Sequence, residues 1–183
     1  MTDPRALADL LQRRSIRHGD FVLASGARSS YYIDCRPSTM SAEGQALIGR
    51  LGLAAIRAAG WTPRAVGGLT MGADPVAYAV ARASADHAPT IDAFSVRKQA
   101  KDHGTGKRVE GNFVAGDAVV VIEDVITSGG SALQAIDAIV AEGGTILGVL
   151  AVVDREQGGR AKIEAAGHRV TTLITATQLG LKS

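Results

Sequence analysis

Cysteine is almost missing from this chain: Cys35 is the one cysteine in 183 residues. That excludes an intrachain disulfide framework and any Cys-x-x-Cys metal site, and it makes a reducing, cytoplasmic setting the expectation. Histidine is scarce too, and His18, His87 and His168 stand far apart with no ligand spacing, so they read as structural and no protein-built metal site is expected. No run approaches the roughly 18 apolar residues of a membrane span, and residues Met1 to Ser15 lack the apolar stretch of a signal peptide. Charge of one sign is lacking as well. Twenty Lys and Arg against 18 Asp and Glu leave a formal charge of +2, which argues against a nucleic-acid partner. The usual nucleotide loops are absent: there is no Gly-x-x-x-x-Gly-Lys-Ser/Thr, and Gly104-Thr105-Gly106 lacks the third glycine of the dinucleotide pattern.

What remains is a chain with 46% hydrophobic residues, no internal repeat and no linker, as expected of one domain over residues 1–183. Leu7, Leu10 and Leu11 after Pro4 predict an opening amphipathic helix. Phe21 to Leu23 and Tyr31 to Asp34, around Ser25-Gly26, predict a hairpin. A helix from a Ser41 cap to about Ala59 follows. Apolar strands then alternate with helical patterns: strands at Ala65 to Leu69, Ile91 to Val96, Ala118 to Glu123, Ile146 to Val153 and Val170 to Ile174, helices at Val76 to Ala85, Ala132 to Glu142 and Arg160 to Ala166. The alternation implies an α/β fold with a mostly parallel sheet, whose ligands bind off the carboxyl ends of the strands. Function is therefore sought just after Leu69, Val96, Glu123 and Val153.

The strongest pattern there is the run Val119 to Ser131: a buried strand, the acids Glu123 and Asp124, then after Val125 and Ile126 the small-residue turn Thr127-Ser128-Gly129-Gly130-Ser131, and then a helix. Small residues let backbone N–H groups close around a phosphate at a helix N-terminus, whose dipole favours an anion. Two carboxylates beside such a cradle would repel the phosphate unless they bind another part of the same ligand, such as sugar hydroxyls or a magnesium ion. A sugar phosphate satisfies both halves; the alternative is an ordinary turn capped by Ser128 or Ser131. A second pattern, Arg97 to Arg108, is cationic and rich in glycine, which fits either a lid closing over a polyphosphate, reached by Lys98, Lys101 and His103, or a solvated surface loop. Arg155, past the strand Ile146 to Val153, is suited to hold a carboxylate bidentately or to pair with Asp154 or Glu156. The turn Gly67 to Pro75 offers glycines for close approach to a ligand. Cys35 makes no case as a nucleophile.

The run Ile122 to Ser131 closely resembles the phosphoribosyl pyrophosphate signature of the type I phosphoribosyltransferases, and Arg97-Lys98-Gln99-Ala100-Lys101-Asp102-His103-Gly104 looks like the lid of the orotate-using members of that family. The likeness extends to the hairpin, the turn Gly67 to Pro75 and the pair Asp154-Arg155. It implies a phosphoribosyltransferase fold with an N-terminal hairpin hood (about 19–40) and a lid (about 98–112). It further implies that Glu123 and Asp124 contact ribose hydroxyls and that Val125, Ile126, Thr127, Ser128, Gly129, Gly130 and Ser131 bind the 5-phosphate. By the same likeness Thr127 and Arg155 hold orotate, with Tyr32 and Ile33 lining its pocket, while Arg97, Lys98, Lys101 and His103 hold pyrophosphate; Lys101, His103 and Asp124 are the implied catalytic residues. Magnesium is expected on the substrate, and a homodimer with lids reaching into the partner's site is implied. The activity implied is transfer of phosphoribosyl to orotate, through an oxocarbenium-like transition state that needs no covalent nucleophile. The chain departs from the family at Ala24 and Gly72, where many members carry lysine, so Arg28 is expected to compensate at the first and the lid at the second. A purine-using relative and a nucleic-acid-binding sensor of the sugar phosphate are the alternatives.

Overall fold

The computed structural model describes residues 4–22, 28–99 and 107–181. Helix α1 (Pro4–Arg14) buries Leu7, Leu10 and Leu11, one apolar stripe at helical spacing. Strands β1 (Ile16–Val22) and β2 (Arg28–Ile33) pair antiparallel, Ile16 opposite Ile33, and form the hood. A single turn of helix, α2 (Arg36–Thr39), leads into α3 (Ala42–Ala58). Ser41 caps α3, its Oγ accepting the Gly44 amide at 3.0 Å.

The rest builds a six-stranded sheet from β3 (Ala65–Leu69), β4 (Asp92–Val96), β5 (Val109–Gly111), β6 (Ala118–Ile126), β7 (Thr145–Asp154) and β8 (Val170–Thr175). The connecting helices are α4 (Ala73–Ala85), α5 (Gly130–Ala141) and α6 (Gly159–Ala165). The strand order is β5-β4-β3-β6-β7-β8, parallel except for β5 against β4. Along β6, Val120 and Ile122 enter one apolar core with Ile48, Ile56, Val76 and Val80, while Val119 and Val121 enter another with Ala135, Ile136, Ile139 and Ile163. A strand covered on both faces must be apolar at successive positions, and that is how this run reads.

After β3 the chain steps outward to β4; after β6 it steps the other way, to β7. The order therefore reverses between β3 and β6, and a crevice opens where their carboxyl ends diverge. Gly67 and Gly68 on β3 let Phe94 and the Ile122 carbonyl pack against bare backbone, which draws β4 and β6 close to β3. Two elements lie beyond the sequence-based expectations: α2, too short to show a period, and β5, which lies within the stretch expected to be lid. Among the described residues no helix is long and apolar enough to cross a membrane.

Candidate active site

A cavity of about 710 Å3 occupies this crevice. The hood contributes Tyr32, Ile33, Asp34, Cys35 and Arg36; the turn after β3 contributes Thr70, Met71 and Gly72; β6 and its loop contribute Glu123, Asp124, Val125, Thr127, Ser128 and Ser131; Lys98, Arg155 and Gln157 complete the wall. A larger hollow of about 810 Å3 runs along α3 and α4, but alanines and exposed arginines line it, with no strand end and no acid pair, so the chemistry belongs to the crevice.

The acid pair is set by β6. Glu123 is 6% exposed, and burial first, then the neighbouring Asp124 charge, push its carboxyl up to about 8. Asp124 is raised as well, mainly by burial, although the Val125 amide donates to its Oδ1 at 2.9 Å and Arg36 favours its ionised form. Two crowded, desolvated carboxyls are poised to accept hydroxyl donors or a cation. Behind them the loop bends into α5 at Gly129, whose φ of 75° lies in the left-handed region. Gly129 is the N-cap of α5 and no described side chain caps the helix, so neither Ser128 nor Ser131 plays that part. The first amides of α5 have no intrahelical acceptor and are free to meet an anion. The loop is held from below: a β-carbon on Gly129 would lie 2.7 Å from the Gly159 carbonyl.

Arg155 lies at the end of β7. It is 4% exposed, its Nε and Nη2 have no hydrogen-bond partner among the described residues, and its guanidinium stands 5.1 Å from the Tyr31 ring centre. It makes no ion pair with Asp154 or Glu156: Asp154 Oδ1 accepts the Glu156 amide, and Glu156 accepts the Thr177 amide. A buried cation with idle donors beside a cavity is arranged for an anion.

Ile126, Gly129 and Gly130 shape the loop without lining the cavity. Ile126 is buried, and its carbonyl accepts the Arg155 amide at 3.0 Å. Lys98 lines the cavity, and its carbonyl accepts from Gln134 and Arg108. Arg97 is turned to Glu110 at 2.8 Å, outside the cavity wall. Arg28, expected to compensate for the hood's missing lysine, pairs instead with Asp20 at 3.3 Å and does not line the cavity. Lys101 and His103, like Ala24, lie outside the described residues. Asp34, Arg36 and Gln157 are cavity residues that sequence reasoning passed over; the Asp34-x-Arg36 spacing at the exit of the hairpin was the available signal.

A sheet-reversal crevice holding an acid pair, an anion-binding loop and a buried unpaired arginine defines an enzyme site for an anionic sugar derivative. Residues 42–175 match the model of the phosphoribosyl transferase domain. The orotate phosphoribosyltransferase of Mycobacterium tuberculosis is 45% identical over 183 residues, 98% of this chain and 97% of that protein. The crystal structure of the Mycobacterium tuberculosis orotate phosphoribosyltransferase in complex with 5-phospho-alpha-D-ribosyl 1-diphosphate superposes with a TM-score of 0.80 at 42% identity, covering 98% of this chain and 100% of that one. A phosphoribosyltransferase structure from Corynebacterium diphtheriae gives a TM-score of 0.86 at 39% identity, covering 99% and 100%. The chain belongs to the type I phosphoribosyltransferases, as a member of the orotate phosphoribosyltransferase family.

Proposed function

We propose that this chain transfers the 5-phosphoribosyl group of phosphoribosyl pyrophosphate to orotate, giving orotidine 5-monophosphate and pyrophosphate, as a step of UMP synthesis. The observation that carries the choice of acceptor is Arg155, a buried guanidinium with two idle nitrogens on the wall that also bears Thr127, Tyr32 and Ile33. An acceptor bearing a carboxylate gives those donors a partner; a purine base does not.

In this reading the Val125 to Ser131 loop holds the 5-phosphate, Glu123 and Asp124 hold the ribose hydroxyls, and Arg155 with Thr127 orients orotate between the hood and the sugar. The bond from the anomeric carbon to pyrophosphate breaks as the orotate nitrogen approaches, and the charge that develops on the sugar is stabilised by the carboxylates. Arg97, Lys98, Lys101 and His103 hold the departing pyrophosphate, with Lys101, His103 and Asp124 closest to the chemistry. Magnesium bound to the substrate would offset the charge of the leaving pyrophosphate. The chain's own groups suit such a cation: Glu123 and Asp124, each pushed upward mainly by burial, would be relieved by a positive neighbour.

The chain acts as one domain over residues 1–183, in the cytoplasm, as a homodimer whose lids, about residues 98–112, close over the partner's site. Support for the dimer comes from the exposed Met71 and Tyr78 beside the turn after β3, and from Arg97, which faces away from its own cavity. The test mixes two variants, Lys101→Ala and Arg155→Ala, each expected to be nearly inactive alone. If lids serve the partner's site, mixed dimers contain one intact site and recover a substantial fraction of activity. No recovery on mixing would mean that each chain closes its own site. Chromatography of the products should give orotidine 5-monophosphate and pyrophosphate in equal amounts.

A further inference from the structure

On the hood side of the crevice, Asp34 and Arg36 form a closed ring of hydrogen bonds. Arg36 Nε donates to Asp34 Oδ1 at 2.8 Å, Nη2 donates to Oδ2 at 2.8 Å, and the Arg36 amide donates to Oδ1 at 3.1 Å. Pro37 follows at the start of α2, fixing the backbone direction just beyond. The two side chains are 50% and 30% exposed, and a solvated pair of this kind adds little to folding. It stands, however, on the wall of the ligand cavity.

The described cations on that wall are Arg36, Lys98 and Arg155. Arg155 is committed to the Tyr31 side, where orotate is placed. Lys98 sits at the root of the lid. Arg36 is the cation whose charge acts on Asp124. Asp124 in turn presses against the turn after β3, so closely that a β-carbon on Gly72 would lie 2.6 Å from its Oδ1. That turn thus reaches the acids as bare backbone and brings no positive charge at Gly72. The positive charge on this part of the wall comes from the hood.

We propose that Arg36 is a binding residue for the pyrophosphate group of the sugar substrate, held in position by Asp34. One edge of the guanidinium is spent on Asp34, which leaves Nη1 and the second Nη2 proton without an acceptor among the described residues. A splinted guanidinium offers planar, parallel donors to phosphate oxygens and loses little freedom on binding them. Of the three anions in the proposed reaction, orotate's carboxylate has Arg155 and the 5-phosphate has the loop; pyrophosphate is the one otherwise left to the lid and Lys98. The identity of the substrate rests on the reading above, whereas the anion site does not.

The test is calorimetric titration of inorganic pyrophosphate with magnesium into the protein and its Arg36→Gln, Arg36→Lys and Asp34→Asn variants, alongside steady-state KM values and thermal midpoints. Arg36→Gln should weaken pyrophosphate and raise KM for the sugar substrate by about tenfold or more, with KM for orotate changed less than about twofold. Asp34→Asn should move the same constants by less, because charge remains and only the splint is lost, and Arg36→Lys should fall between wild type and Arg36→Gln. Pyrophosphate affinity unchanged in folded Arg36→Gln or Arg36→Lys would overturn the proposal, as would a loss confined to orotate. The titration contains no orotate, so failure of the acceptor assignment would leave this result standing.

Discussion

Gly72 and Asp124 meet in the crevice with no room for a side chain between them: a β-carbon at Gly72 would lie 2.6 Å from Asp124 Oδ1 and 2.7 Å from its Cγ. The position of the Asp124 carboxylate is therefore set by what the neighbouring turn lacks. Gly72 has φ of −63°, which any residue adopts, so backbone strain does not enter. Gly72→Ala should leave the thermal midpoint unchanged or slightly raised, because alanine has less freedom to lose on folding. It should cut kcat/KM by roughly tenfold or more, because a displacement of about 1 Å at a reacting group can cost as much as a hundredfold. Comparing melting curves with steady-state rates checks the pair of outcomes.

Glu123 gives the pH dependence its sign. Its carboxyl is pushed to about 8 in the fold, against an ordinary value of 4.5. Below the ordinary value it is protonated in both states and its contribution is fully present. Between the two values the unfolded chain gives up a proton that the native chain keeps, so stability is progressively lost as pH rises to about 8 and then levels. The loss should approach about 1.4 kcal/mol per pH unit for this one group. Urea titrations of the ligand-free protein across this range should show it, and Glu123→Gln should have a flatter profile. Binding of the sugar phosphate with magnesium near pH 7 should release protons, detected as a dependence of the binding heat on the buffer's ionisation enthalpy.

Arg155 separates stability from function. A buried cation whose Nε and Nη2 lack partners among the described residues costs desolvation that the Tyr31 ring only partly offsets. Arg155→Met, of similar length, should hold or raise the melting temperature while raising KM for orotate by about tenfold or more. The KM for phosphoribosyl pyrophosphate should stay near wild type. A large drop in melting temperature would mean that Arg155 is structural.

Gly129 is a backbone requirement. With φ of 75° and the Gly159 carbonyl 2.7 Å from any added β-carbon, Gly129→Ala should lose about 1–3 kcal/mol of stability. With the loop as the proposed 5-phosphate site, it should also weaken phosphate binding, since the loop amides would have to move. Guanidinium titration and the dissociation constant for ribose 5-phosphate measure the two effects.

The parts of the fold that announced themselves were those with a single period. Ala65 to Leu69 is apolar throughout because β3 is covered on both faces, and the strand spans those same residues. The Ser41 cap marks the start of α3 for the physical reason that a serine Oγ can accept an orphan amide. Strand β6 runs three residues past the expected end at Glu123, because Val125 and Ile126 continue the ladder opposite Val153 and Asp154 of β7. Helix α4 starts at Ala73 rather than Val76, since Asp74 and Pro75 suit a first turn that an apolar period does not register. In the site, the acids and the loop were legible from residue type and order alone. The Asp34–Arg36 ring was not, because its meaning lies in facing a cavity whose other walls, from Thr70 to Gln157, are distant in sequence. The burial of Arg155 was hidden for the same reason: a strand-end arginine between two acids fits an ion pair as well as a carboxylate-binding site until the fold turns both acids elsewhere.

The decisive measurement is the loss of orotate absorbance when the purified chain is mixed with phosphoribosyl pyrophosphate and magnesium, with adenine, guanine and uracil run as competing acceptors. Rapid loss of orotate, undiminished by the other bases and absent without the sugar phosphate, is the expected result. Turnover of a purine with orotate untouched, or tight binding of the sugar phosphate with no base consumed, would contradict it.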